Sequence, residues 1–276
     1  MSDIDHNKYE FRKKINNLVF SSTLNTTAIF ESDLKVDRNP MIFCGNHLNE
    51  LDQFAVIKSS DVMIHWITNK EYFKRTLKIS HQTLMPRYYK LMKCIPNDEH
   101  SNVVALDYLK NGSSIGIFPE GKTNTLTYDK VEELYSELKS GLSLKEYELL
   151  LKSTKVKLSQ INLLQQLYFD RKISDDDYQR GLLCTDYFLY NCAEKGIITK
   201  EEYDDSLLLS FDNSVISIAK ESGALIVPFA IAVQGSTNIK INFGKLLDVE
   251  KLSEEDSNMV VREHVLSLLK KNENRN

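Results

Sequence analysis

Apolar positions along the chain fall into two periodicities. Continuous runs of strand length occur at "MIFCG" (41–45), "VMIHWIT" (62–68), "SSIGIFPEG" (113–121) and "GALIVPFAIAV" (223–233). Between them the spacing turns helical, as in "VVALDYLKNG" (103–112), which stops on Asn111–Gly112. Strand-length runs separated by helical segments predict an α/β domain with a mixed central sheet flanked by helices. "ALIVPF" places Val227–Pro228 at an expected strand end.

Residues 125–210 break this pattern. They contain no proline and no β-branched run, and they carry sixteen Asp/Glu against eleven Lys/Arg. That net of -5, set against -4 for the whole chain, leaves +1 on the flanks. The segment holds a weak repeat: Ser143/Glu146/Tyr147, Ser174/Asp177/Tyr178 and Thr199/Glu202/Tyr203. In each copy the hydroxyl accepts from an orphan amide of a first turn and the acid reaches back, which predicts a capped helix. The chain therefore divides into a discontinuous α/β domain, 1–124 and 211–276, and an acidic all-helical insertion, 125–210, built of hairpin repeats. The insertion offers a surface to an unassigned protein partner.

Composition narrows the function. With 276 residues, 42% of them apolar and 27% charged, the chain is ordinary globular protein. A net charge of -4 excludes a general nucleic-acid binder. The four cysteines form no CxxC pair, which fits a reduced, cytoplasmic setting. The N-terminus does not read as a signal peptide. The longest apolar run, 224–233, is too short to span a bilayer. His65, His81 and His100 lack metal-ligand spacing, so no metal site is expected.

Candidate chemistry begins at "GNHLNELD". His47 is followed five positions later by Asp52. An imidazole backed by a carboxylate can take a proton from a hydroxyl near neutral pH. A buried-strand pattern then runs into Phe118-Pro119-Glu120-Gly121-Lys122-Thr123, and strand ends in α/β sheets are where functional groups collect. Residues 70–93 mix seven Lys/Arg, one acid and many aromatic and apolar groups, which suits an anionic membrane surface or a phosphorylated amphiphile.

Together these features resemble the glycerolipid acyltransferase family, of the lysophosphatidate acyltransferase type. Its Asn-His-x4-Asp box is matched by Asn46, His47 and Asp52, its Phe-Pro-Glu-Gly box by residues 118–121, and its late Val-Pro block by Val227 and Pro228. The resemblance covers roughly residues 10–124 and 211–247. Two arginines that the family uses on the acceptor's phosphate are missing. Lys122 and Thr123 follow the third box, and Asn97 and Asp98 stand at the second.

The resemblance implies transfer of a fatty acyl group from acyl-CoA or acyl carrier protein to a lysolipid hydroxyl, with 1-acylglycerol 3-phosphate as the expected acceptor. A non-phosphate lysolipid, or a silent lipid-binding relative, is the alternative. His47 is the expected base and Asp52 its partner, with His47 expected near a helix N-cap and Asp52 about one turn in. Asn46, Glu120, Gly121, Lys122 and Thr123 are the expected substrate contacts, with Glu120 holding an acceptor hydroxyl or ordering the loop. Amides near the start of the helix carrying Asp52 are expected to serve the oxyanion. No cofactor beyond the acyl donor is implied. The expected location is the cytoplasm, peripherally on the inner face of the membrane.

Overall fold

The structure, a computed structural model, describes residues 3–20, 25–31, 40–73, 85–126, 133, 157–234 and 238–272. It divides into two compact units, Met1–Gly121 with Phe211–Asn276, and Lys122–Ser210.

The first unit is built on a seven-stranded mixed sheet, an α/β architecture. Its strands are β1 (Asn25–Phe30), β2 (Met41–Gly45), β3 (Ile64–Asn69), β4 (Ile95–Asn97), β5 (Ser114–Ile117), β6 (Leu225–Gln234) and β7 (Asn238–Phe243). Their order is β1-β7-β6-β2-β5-β3-β4. Every pairing is parallel except the β6–β7 hairpin.

Parallel strands are covered on both faces, and β2 shows why its sequence is apolar throughout. Phe43 packs with Trp66, Val227 and Phe229 on one face, beneath helix α2 (Asp52–Ser59) and helix α3 (Met85–Leu91). Its neighbours Ile42 and Cys44 pack on the other face, beneath helices α4 (Ser101–Lys110) and α9 (Ser214–Ser222). Helix α10 (Glu254–Asn272) adds Val261 to that second cluster. Helix α1 (Asp3–Phe20) joins the first face, where Asn16 donates to the Phe54 carbonyl and accepts from Tyr88.

Val227–Pro228 does not end a strand. Both lie inside the ten-residue β6. Residues 225–229 of that strand pair with β2, and residues 229–234 pair with β7. The N–H that Pro228 lacks faces β7 at the end of that ladder, where the Pro228 carbonyl still accepts from the Gly244 amide at 2.8 Å, so the bonds to β2 are untouched.

The second unit, taken by itself, is helical in its described part apart from one bridge, Thr125 to Lys157. Its helices are α5 (Leu158–Phe169), α6 (Asp175–Leu183), α7 (Thr185–Glu194) and α8 (Lys200–Asp205). Ser174 caps α6 with Asp177, and Thr199 caps α8 with Glu202, each as a complete capping box. The copy at Ser143 lies outside the described residues. Ile161, Leu164, Leu182, Leu189 and Leu207 form the interior. Gly181 lets α6 approach α5, since a β-carbon there would meet Leu164 at 2.7 Å. Asn124 ties the two ends of the unit together. Its amide donates to Ser159 Oγ at 3.0 Å and to the Leu207 carbonyl at 3.2 Å.

Candidate active site

Three parallel strands end together at one edge of the sheet. His47 follows β2, Thr68 lies near the end of β3, and Phe118 and Glu120 follow β5. The carboxyl ends of parallel strands are where such sheets place their chemistry. A cleft of about 210 Å³ opens there, lined among others by His47, Gln53, Thr68, Asn97, Phe118 and Gly121.

His47 Nδ1 lies 3.1 Å from Asp52 Oδ2. Asp52 is fully buried, while the His47 side chain is 20% exposed. The same Oδ2 accepts from the Leu48 amide at 2.5 Å and the Asn49 amide at 2.8 Å. An ionised carboxylate facing Nδ1 keeps the proton on that nitrogen and leaves the lone pair on Nε2.

Asp52 is the first residue of α2, with Leu51 as N-cap. The expected arrangement, with His47 at the cap and Asp52 one turn in, is therefore not what forms. Residues 46–51 make a loop instead, wound around the Asp52 carboxylate.

That loop consumes its own donors. The His47 amide donates to Glu120 Oε1 at 3.0 Å, and Glu120 is only 6% exposed. The Leu48 and Asn49 amides go to Asp52, and the Leu51 amide goes to Asn49 Oδ1 at 2.8 Å. Near the start of α2, the amides of His47, Leu48, Asn49 and Leu51 are thus already spent on carboxylates and a side-chain amide. Thr68 and Asn97 offer neutral polar groups in the same cleft.

Aromatic stacking fixes the plane of the imidazole. Phe118 lies against His47 at 4.1 Å and 10°, and against Trp66 at 4.7 Å and 21°. Gly116 makes room for this column, since a β-carbon there would meet the Trp66 ring at 2.6 Å.

Of the residues expected from sequence, His47, Asp52 and Glu120 come together, and Gly121 lines the cleft in a left-handed turn, φ 66°. Asn46 is 1% exposed, and both ends of its amide are taken by the Ile231 main chain, at 2.9 and 2.7 Å. That geometry gives it the work of holding the His47 turn against β6, rather than a substrate contact. Lys122 is exposed and Thr123 half-buried, and both belong to the second unit. Of the basic stretch 70–93, residues 74–84 lie outside the described residues.

Several lining residues are not legible in the sequence. Phe118 was legible as part of the Phe-Pro-Glu-Gly box, but its stack on His47 was not. Asp212 reaches the cleft from beyond the inserted segment, where its amide donates to the Pro119 carbonyl at 2.9 Å. The thiol of Cys44 is inert for this chemistry. Burial first, then the charges of Asp212 and Glu120, push its pKa far above the ordinary range.

The fold has a solved counterpart. It matches the crystal structure of the 1-acyl-sn-glycerophosphate (LPA) acyltransferase PlsC from Thermotoga maritima, with a TM-score of 0.55 over 99% of this chain and 84% of that one. The chain shares that enzyme's fold. Sequence identity between the two is 14%, so the likeness rests on architecture. No protein-family model and no curated protein matches the sequence.

Proposed function

We propose that this protein is a glycerolipid acyltransferase that moves a fatty acyl group from an acyl thioester, acyl-CoA or acyl carrier protein, to a lysolipid hydroxyl. The observation that carries the reading is the His47–Asp52 pair at the strand ends of a sheet shared with an acyltransferase. Nε2 of His47 takes the acceptor's hydroxyl proton as its oxygen attacks the thioester carbonyl carbon. The C–S bond then breaks, and the departing sulfur receives the proton back from Nε2. Asp52 stabilises the intervening imidazolium through Nδ1–H. The acyl group passes directly from donor to acceptor, so no protein nucleophile is needed.

The reading extends to a membrane surface. Among the described residues no helix is long and apolar enough to cross a bilayer. Helix α1 exposes Phe11 at 61% and Leu18 at 78% beside Lys14, which suits shallow contact with anionic lipid on the cytoplasmic face. Flotation with anionic vesicles, weakening with salt, is the expected behaviour; equal recovery on neutral vesicles would count against it.

The central test is acyl transfer by purified protein from labelled acyl-CoA to a panel of lysolipids. His47→Ala is expected to lose at least ~10²-fold in rate, the usual worth of a positioned base, with its melting temperature unchanged. A folded His47→Ala protein with full activity would sink the mechanism.

A further inference from the structure

The resemblance in sequence points to a phosphorylated acceptor, yet the charges around the cleft are of the wrong sign for one. Among the described residues that line it there is no lysine and no arginine. Two carboxylates stand at its rim, Glu50 and Asp212. A third, Glu120, lies buried behind His47, bonded to its amide. The remaining polar lining is neutral, including Thr68, Asn97, Asn102 and Ser214.

Both rim carboxylates are held in place. Glu50 Oε1 accepts from the Tyr72 hydroxyl at 2.5 Å. Asp212 Oδ1 accepts from the Ser214 amide at 2.8 Å at the start of α9. Each is therefore a fixed negative charge at the mouth of the cleft. A phosphate monoester, close to two negative charges at neutral pH, would be repelled there. A head group that donates hydrogen bonds would meet acceptors at each of these positions.

We infer that the acceptor's head group is not anionic: the cleft takes a hydroxyl- or ammonium-bearing lysolipid without a phosphate monoester, and Glu50 and Asp212 set that preference. The inference rests on the acyl-transfer reading for its chemistry, but its selectivity is readable without turnover. The reaction stays balanced for such an acceptor: the hydroxyl proton passes through His47 to the leaving thiol, and one ester replaces one thioester.

The test uses three short-chain acceptors below their micellar range: 1-octanoylglycerol, its 3-phosphate, and the analogue bearing an amine in place of the phosphate. kcat/KM is measured with octanoyl-CoA, and binding to His47→Ala protein is measured by calorimetry. The neutral and amine acceptors are expected to be favoured over the phosphate by about tenfold, the size of effect that close charges near a protein surface produce. Asp212→Asn with Glu50→Gln keeps both hydrogen-bond acceptors and removes both charges, and is expected to shrink that preference. A wild-type preference for the phosphate overturns the inference. So does a preference that the double variant leaves unchanged, or a failure of all three acceptors to bind. Binding in the expected order with no acyl transfer to any acceptor would instead overturn the acyltransferase reading and leave the head-group selectivity standing. If the phosphate is preferred and Lys122→Ala abolishes that preference, Lys122 holds the phosphate and the rim carboxylates do not decide the acceptor.

Discussion

The imidazole of His47 lies flat on the ring of Phe118, their centroids 4.1 Å apart and their planes 10° apart. A histidine acting as a base must present one nitrogen in one direction. Asp52 fixes the ring through Nδ1, and Phe118 fixes the plane in which it turns. Phe118→Leu keeps the apolar volume and removes the flat face. It is expected to lower kcat by about tenfold while changing KM little, as loss of orientation does. Steady-state kinetics on the variant checks this, and a pure KM effect would mean that Phe118 contacts substrate instead.

Asn46 should behave as a structural residue. Asn46→Ala leaves the buried N–H and C=O of Ile231 without side-chain partners, at roughly 1–3 kcal/mol for each unsatisfied group. Urea denaturation is expected to show that loss, together with a lower kcat as the His47 turn loosens. A stable variant with only a raised KM would return Asn46 to the substrate contacts.

His65 makes stability depend on pH. It is buried, its Nδ1 donates to the Lys93 carbonyl at 3.1 Å, and its ring stacks on Tyr108. Burial, chiefly, lowers its pKa from 6.5 to about 4 in the folded protein. Between those values the unfolded chain binds the proton and the folded one does not. The contribution is therefore fully present above 6.5 and lost as pH falls towards 4, at about 1.4 kcal/mol per pH unit. His65→Gln keeps a donor for Lys93 and removes the titration, so its urea midpoint should fall less than wild type between pH 7 and 5. Parallel losses in both proteins would place the acid sensitivity elsewhere.

Thiol labelling should find one reactive cysteine. Cys184 is exposed, whereas Cys44, Cys94 and Cys192 are buried. Burial also pushes the Cys94 thiol up to about 12, so little thiolate exists there at neutral pH. Intact mass after brief iodoacetamide treatment is expected to show a single adduct, absent from Cys184→Ser. Labelling of Cys44 in folded protein would reopen a thiol nucleophile.

The helical unit should be removable. Within the α/β unit, the Asp212 amide bonds the Pro119 carbonyl at 2.9 Å, so the outgoing and returning chain already lie side by side. Replacing residues 122–210 with a short Gly/Ser linker is expected to leave a folded, cooperatively melting α/β unit. A molten product, seen by loss of the near-ultraviolet circular dichroism of Trp66, would show that the insertion completes the core.

What the sequence determined by itself was local. The span of β2, the run of β5 into its turn, and the two described capping boxes follow from neighbours a few residues apart, and the structure keeps them. The His47–Asp52 pair was legible for the same reason, since five residues of chain bring the groups within reach. Three strands are not legible in the sequence: β4 has three residues, β1 sets Thr26 beside Thr27 on a largely exposed strand, and β7, inside the sheet, has its apolar run interrupted by Lys240 and Asn242. Only tertiary pairing marks these as strands. The same holds for Pro228, whose tolerance inside β6 depends on where β7 ends. It holds too for the loop amides, spent on Glu120 as well as Asp52, and for Asp212, brought to the cleft across the whole insertion. Each of these depends on groups far apart in the chain, and only folding brings such groups into contact.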